Sequence, residues 1–412
     1  MLQYIIRRLL LAIPTFLGAT FVVFFIVQFA PGGPYDQQMN ALRKGQGAEG
    51  GGSALGTESM AIPPSQLEAL QRYYQVNEPI WKRYLMWLGL FPRPVNDYLA
   101  EVGEERNVGG GYKVVARKDA ATGLYKVYAL DDPSTPLEDW FVDPSQKPNS
   151  VWLYQREVAG IFTFDFGDSF RYRKPVTELI SERLPVSMQF GLMSFVITYV
   201  VCFYLGTQKA LRHGTKFDVV SSSIIFIAFS VPGWALGGVL LVILGGGSGI
   251  DLFPTGGFQS SDYDNLTAVE QILDRAWYFV LPTVAYTLGG FASITLLMKN
   301  SLMETLGQDF IRTAYAKGLR EDRVIWLHAM RNSIIPLVAS IGGVIGIFLA
   351  GGYLVETAFN IDGIGRLSFE AIGTRDTNVA FAFAVISITI NLVGSIISDF
   401  MLALVDPRIR FS

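Results

Sequence analysis

Long apolar runs and polar intervals alternate along the chain, and the runs set its organisation. Residues 9–30, 186–206, 219–244, 277–298, 334–355 and 379–404 are nearly free of charge and long enough for a helix to cross a bilayer. The first run follows Arg7 and Arg8 and leads into Pro31, Gly32, Gly33 and Pro34. It is longer than the apolar core of a secretory signal and runs into Ala30-Pro31-Gly32-Gly33-Pro34, so it is expected to be retained as a span. Basic residues orient the set. Thirteen Lys and Arg fall in the segments between or beyond runs assigned to the inside, against three in the short outside segments. Six spans with both termini cytoplasmic satisfy that bias.

Between the first two runs the pattern changes. Residues 41–57 are rich in Gly, Ser and Ala and predict a flexible stretch. Residues 65–90 predict a helix, with Leu67, Leu70, Tyr74, Trp81, Tyr84, Leu85 and Leu88 on an interrupted apolar face. At 112–130 the period falls to two around a turn-like 119–123, which predicts a β-hairpin. Residues 133–149 are expected to be loop, with Trp140, Phe141 and Trp152 in or just after it. The expected fold is an all-α polytopic membrane protein of six transmembrane helices, with a small α+β extracytoplasmic insertion between the first and second spans. Its parts are residues 1–34, the external region 35–184, and a five-helix core 185–412 containing a cytosolic loop, 299–333.

That loop is the most informative polar interval. Lys299, Arg312, Lys317, Arg320, Arg323 and Arg331 mark it as cytosolic. Residues 310–319 predict a short helix ending near Gly318. Residues 320–331 predict a second, with Val324, Ile325, Leu327 and His328 on one face. A helix–Gly–helix elbow with an apolar stripe is more than a linker needs, although a loop lying along the lipid surface would share the pattern.

Composition narrows the function class. Half the residues are hydrophobic, 17% are charged and mean hydropathy is +0.33, which sets the chain apart from soluble enzymes. A net charge of -3 gives no electrostatic case for nucleic acid. One cysteine, Cys202, and two histidines, His213 and His328, leave no basis for a disulfide framework or a Cys/His metal site. No run has an ionisable residue near its centre, and Asp399 lies close to the inner end of the last one, whereas ion-coupled carriers need such groups at mid-membrane. No phosphate-binding loop, H-E-x-x-H or G-x-S-x-G motif is present. Pro232, Pro282 and the pairs Gly289-Gly290, Gly342-Gly343 and Gly351-Gly352 are expected to bend helices or let them pack closely, with a gating role as the alternative. Spans without an energy source of their own point to a partner that supplies one.

Arg312-Thr313-Ala314-Tyr315-Ala316-Lys317-Gly318-Leu319, with His328, Asn332 and Pro336 downstream, resembles the coupling loop of ABC importer permeases of the dipeptide/oligopeptide/nickel class. Pro175–Ile180, Arg183-Leu184-Pro185, Gly363-Ile364-Gly365-Arg366-Leu367, Arg375-Asp376 and Asp406-Pro407-Arg408-Ile409-Arg410 follow in that family's order. Phe25-Ile26-Val27-Gln28, Ala30-Pro31-Gly32-Gly33-Pro34, Asp165-Phe166-Gly167-Asp168-Ser169 and Asp251-Leu252-Phe253-Pro254 are similar to Yej-type peptide importers in particular. There are departures. Arg312-Thr313-Ala314 stands where the general motif has Glu-Ala-Ala, and Gly33 where the class often has an acid. Residues 92–158 match no motif of the family.

The resemblance implies a non-catalytic permease subunit of the bacterial inner membrane, with no cofactor of its own. ATP and magnesium are expected in two cytosolic ATPase subunits or domains. An extracytoplasmic binding protein would deliver peptide, and a second, related permease would complete the path. Phe310, Ile311, Tyr315 and Leu319 are the expected docking residues of the loop, Gly318 its turn, and Pro336 the start of the next span. In the insertion, Tyr112, Lys113, Tyr125, Lys126 and Tyr128 are candidates for an external partner contact, and packing on the helix at 65–90 alone is the alternative. A self-sufficient carrier or channel and a membrane-anchored receptor are the other function classes.

Overall fold

The computed structural model describes residues 2–29, 63–109, 112–119, 123–131, 135–246, 250–349 and 352–405, with a few positions from 33 to 42. The stretches at 41–57 and 406–410 that figured above lie essentially outside the described residues, as do the centre of the 119–123 turn, Gly351 and most of 30–34. The chain divides into two compact units, Phe21–Asp168 and the remainder.

The first unit begins with the last turns of α1 (Leu2–Phe29), whose Phe21 and Phe24 rings pack on Tyr84 and Trp87. The helix expected at 65–90 is two helices, α2 (Pro64–Tyr73) and α3 (Ile80–Leu88). Gln75 takes a positive φ of 52°, and Pro79, whose fixed φ suits an N-terminus, caps α3. Six strands follow: β1 (Arg93–Glu101), β2 (Glu105–Asn107), β3 (Lys113–Lys118), β4 (Tyr125–Ala129), β5 (Trp140–Pro144) and β6 (Ser150–Glu157). They pair antiparallel as β1-β6-β5 and β2-β3-β4.

The stretch expected to be a hairpin is thus β3–β4, with Val115 opposite Tyr128. Two expectations are corrected. Trp140, Phe141 and Trp152 lie in strands rather than in a loop, where their alternation serves pairing. The hairpin also does not rest on α2 and α3 alone. Its Val114, Ala116 and Val127 close a core with Ala100, Val151 and Leu153 of the other sheet, because a two-stranded ribbon cannot bury its apolar face by itself.

The second unit is helical: α4 (Val176–Leu211), α5 (Lys216–Ser230), α6 (Gly233–Leu244), α7 (Ala268–Leu306), α8 (Asp309–Ala316), α9 (Ile335–Leu349), α10 (Tyr353–Ala358), α11 (Ile364–Thr374) and α12 (Thr377–Val405). Among the described residues, five helical runs are long and apolar enough to cross a membrane, and α5 with α6 is a further bent pair. The single run expected at 219–244 is therefore corrected: it breaks at Val231–Pro232 with a 95° bend. Val231 is extended, as a residue before proline must be, and Pro232 brings no N–H to continue α5. Close crossings rest on glycine. A Cβ at Gly206 of α4 would lie 2.7 Å from Met298 Cβ of α7, and one at Gly394 of α12 would lie 2.5 Å from the Gly342 carbonyl of α9.

Candidate coupling surface

The polar interval after α7 starts later than its sequence suggests. Lys299 belongs to α7, which runs to Leu306, and α8 follows as a rod of eight residues. The rod has two faces. Ile311 and Ala314, 1% and 6% exposed, enter a cluster with Cys202 and Ala210 of α4 and Ile294, Met298 and Leu302 of α7. Phe310 and Tyr315 stand outward, 42% and 45% exposed, beside exposed Arg312, Thr313, Ala316 and Lys317. Leu319 packs back on the same cluster. Of the four residues expected to dock, Ile311 and Leu319 are thus taken up in holding the rod, and Phe310 and Tyr315 remain on the surface.

Gly318 ends the rod at φ +75°. Its N–H donates to the Tyr315 carbonyl at 2.9 Å, and that of Leu319 to the Ala314 carbonyl at 3.4 Å. This is the paired bonding of a left-handed helix stop, and the Leu319 contact beneath it is the apolar touch such stops carry. A Cβ on Gly318 would meet no atom of the described residues within 4 Å, its chain neighbours aside, so the requirement is conformational rather than steric.

The second loop helix is not separate from the next span. Glu321–Arg323, a π-helical Val324–Ala329 and Met330–Ser333 run on into α9, and the apolar run includes Glu321–Gly343. Val324 and Ile325 are buried, whereas Leu327 is 65% exposed and His328 is half-buried. The one-face expectation fails because the π turn adds a residue per turn. It brings Val324, Ile325, Ala329 and Met330 inward and leaves Trp326 and Leu327 outside. Asn332 is half-buried, and Pro336 falls just inside the start of α9. The Ser301 hydroxyl donates to the Ser333 carbonyl at 2.8 Å, tying this run to α7.

Beneath the rod's cluster sits a charge arrangement that sequence reasoning missed. Asp218 at the start of α5 accepts from Lys299 Nζ at 2.8 Å on both oxygens and lies 3.2 Å from Lys209 Nζ. Lys209, wholly buried, also donates to the Ser221 and Ser222 hydroxyls at 2.8 and 2.7 Å and to the Asp218 carbonyl at 3.0 Å. The Gly214 N–H and His213 Nδ1 complete the shell, each 3.2 Å from Asp218 Oδ2. In sequence both lysines read as loop charges. The available signal was an acid in the first turn of a span otherwise flanked by bases. This knot joins the ends of α4 and α5 to α7, the helix that carries the rod.

A second buried acid, Glu356 of α10, has no cationic partner among the described residues. Its Oε1 accepts from the Ser187 and Tyr286 hydroxyls at 2.7 and 3.1 Å, and its Oε2 from the Arg366 N–H at 2.7 Å. Burial raises this carboxyl above its ordinary value of 4.5, against the lowering effect of those hydrogen bonds. Arg366, in the 363–367 motif, turns its side chain to Glu370 and Asn360. Asp376 is likewise buried and accepts from the Ser169 hydroxyl at 2.5 Å. In the other unit, Tyr112, Lys113 and Tyr125 are exposed, and Lys126, bonded to Asp119, and Tyr128 are half-buried.

Residues 200–411 match the family model described as the inner membrane component of binding-protein-dependent transport systems. The chain is 35% identical over 409 residues to the inner membrane ABC transporter permease protein YejB of Escherichia coli O157:H7, covering 99% of this chain and 98% of that one. It is 34% identical over 415 residues to the peptidoglycan transport system permease protein YejB of Agrobacterium fabrum, with the same coverage. To the oligopeptide transport system permease protein AppB of Bacillus subtilis it is 28% identical over the whole of both chains. The matched stretch contains the rod, its glycine stop, the π turn and the charge knot, all set among helices apolar enough to span a membrane. The chain belongs to the family of inner membrane components of binding-protein-dependent transport systems.

Proposed function

We propose that this chain is one half of the translocation path of an ATP-driven peptide importer, coupled through α8 and its glycine stop to a cytosolic ATPase. The observation that carries the proposal is the two-faced rod. One face is locked into α4 and α7, and the other offers Phe310 and Tyr315 to a partner. A lever needs both: docking without attachment would slip, and attachment without an exposed face would have nothing to receive. In this reading the bent α5–α6 pair crosses once, giving six spans with both termini cytoplasmic. ATP and magnesium are held by two partner ATPases, and a second permease of the same family faces this one. The oligopeptide-transport name of the AppB relative supports the substrate class.

Cysteines at Phe310 and Tyr315, in a Cys202→Ser background, are expected to crosslink to a co-expressed ATPase, and one at buried Ile311 is not. Crosslinking at none of them, with the complex assembled, would overturn the proposal. Orientation has its own test. Cysteines at Ser260 and Thr374 should react with an impermeant thiol reagent from outside, and one at Gln308 should not.

The exposed residues of the β2-β3-β4 sheet are proposed as a contact to the binding protein. Removing the hairpin would uncover the core formed by Val114, Ala116 and Val127, so substitution is the cleaner test. Tyr112→Ser with Tyr125→Ser is expected to weaken binding-protein stimulation of ATP hydrolysis while leaving assembly intact. Unchanged stimulation would remove the sheet from that interface.

A further inference from the structure

The unit Phe21–Asp168 carries an exposed aromatic patch that neither the rod nor the sheet contact uses. Trp81 at the start of α3 is 56% exposed, and Leu90 and Phe91 just past its end are 54% and 41% exposed. The Trp81 and Phe91 rings meet edge to face at 6.5 Å. Gly89 ends α3 at φ +81°, and a Cβ there would lie 3.2 Å from the Gly160 backbone. That abutment brings the loop with Val158, Phe162 and Phe164, which are 53%, 51% and 71% exposed, beside Leu90 and Phe91. Exposing six large apolar side chains around one junction to water would be costly, and such a concentration marks a surface that meets something apolar.

We propose that α3 and this patch form an interfacial membrane anchor, seated at the boundary between headgroups and acyl chains at the far end of α1. The position of α3 on α1 carries the assignment. Tyr84 and Trp87 pack against Phe21 and Phe24, and Arg83 donates to Gln28 Oε1 at 2.6 Å. The apolar run of α1 has 24 residues and ends at Phe29, which gives about 36 Å at 1.5 Å per residue. Centred on a hydrocarbon core of about 30 Å, it overshoots by about 3 Å at each end. Phe24 lies five residues before that end, so α3 meets α1 about 4–5 Å inside the hydrocarbon edge.

Amphipathic helices in the membrane plane bury their apolar face to a comparable depth, and Trp with other aromatics concentrates at that level. The cations beside the patch carry their own counter-ions, Lys82 with Glu78 and Arg93 with Asp165. The anchor would fix the height of the strand-bearing unit over the bilayer.

Nitroxide labels at Phe91→Cys and Phe164→Cys test this in the assembled transporter, reconstituted in lipid nanodiscs in a Cys202→Ser background. The side chains replaced are exposed, so the label does not disturb a core. Val22→Cys, exposed on α1, serves as the lipid reference, and Glu104→Cys, in the turn before β2, as the water reference. The ratio of collision with oxygen to collision with a water-soluble nickel chelate should group positions 91 and 164 with Val22 and apart from Glu104. Nickel-dominated collision at 91 and 164 would overturn the anchor. So would low collision with both reagents, which would mean that a protein covers the patch. A nickel-dominated Val22 would overturn the assignment of α1 as a span along with it.

Discussion

Gly318 separates a conformational requirement from a steric one. At φ +75° any L side chain pays about 1–2 kcal/mol, and a β-branched one lies at or above the top of that range. Because no atom of the described residues, the flanking ones aside, lies within 4 Å of the added Cβ, nothing else among them adds to that cost. Ala at about 1 kcal/mol should reduce the ratio of capped to uncapped elbow about fivefold, and Val at about 2 kcal/mol about thirtyfold. Asn, which enters the left-handed region with little penalty, should stay near wild type. The assay is binding-protein-stimulated ATP hydrolysis and uptake in proteoliposomes, normalised to the amount of complex in the membrane. The expected order is Gly, Asn, Ala, Val. Full activity of G318V would refute the role of the stop. Equal loss in all three variants would refute the conformational account, because it would mean that a partner's atoms fill the space beside the Cα.

Three further perturbations act on charges wholly or partly withdrawn from solvent. Asp218→Asn leaves Lys209 and Lys299 buried without their counter-ion, so it should destabilise the protein by about 3–5 kcal/mol, measured as loss of the detergent-stable complex on heating. Glu356 is raised by burial, so the folded state holds its proton more tightly than the unfolded chain, and stability from this group falls as pH rises above about 4.5. The melting-temperature advantage of wild type over E356Q should therefore shrink between pH 4.5 and 7, and a growing advantage would contradict the assignment. Arg72 bonds Asp97 at 3.2 Å and Asp143 at 3.0 Å and lies over the Trp152 and Tyr154 rings, so Arg72→Ala should cost about 3 kcal/mol. Limited proteolysis would then cut the strand-bearing unit first, leaving the helical unit intact.

What could be taken from sequence was whatever a short window records. Apolar length located the helical runs, because lipid leaves a backbone few alternatives to a helix. Gly318 and its neighbours announced a helix stop, because capping is a matter of a few consecutive residues. Alternation located β3 and β4, but β1 and β6 went unnoticed, since Leu99 and Trp152 become strand residues by pairing with each other across a long interval of chain. Lys209 and Lys299 look like loop cations in any window. Asp218, 81 residues from Lys299, is what makes their burial affordable. Val324–Ala329 has an ordinary helical composition, and the added residue of its π turn belongs to the way the run packs on α7 and the rod. The sequence by itself determined the number of apolar runs, the elbow and the family. The tertiary structure alone decided which face of the rod is left for a partner and which charges are buried, because both depend on contacts between residues far apart in the chain.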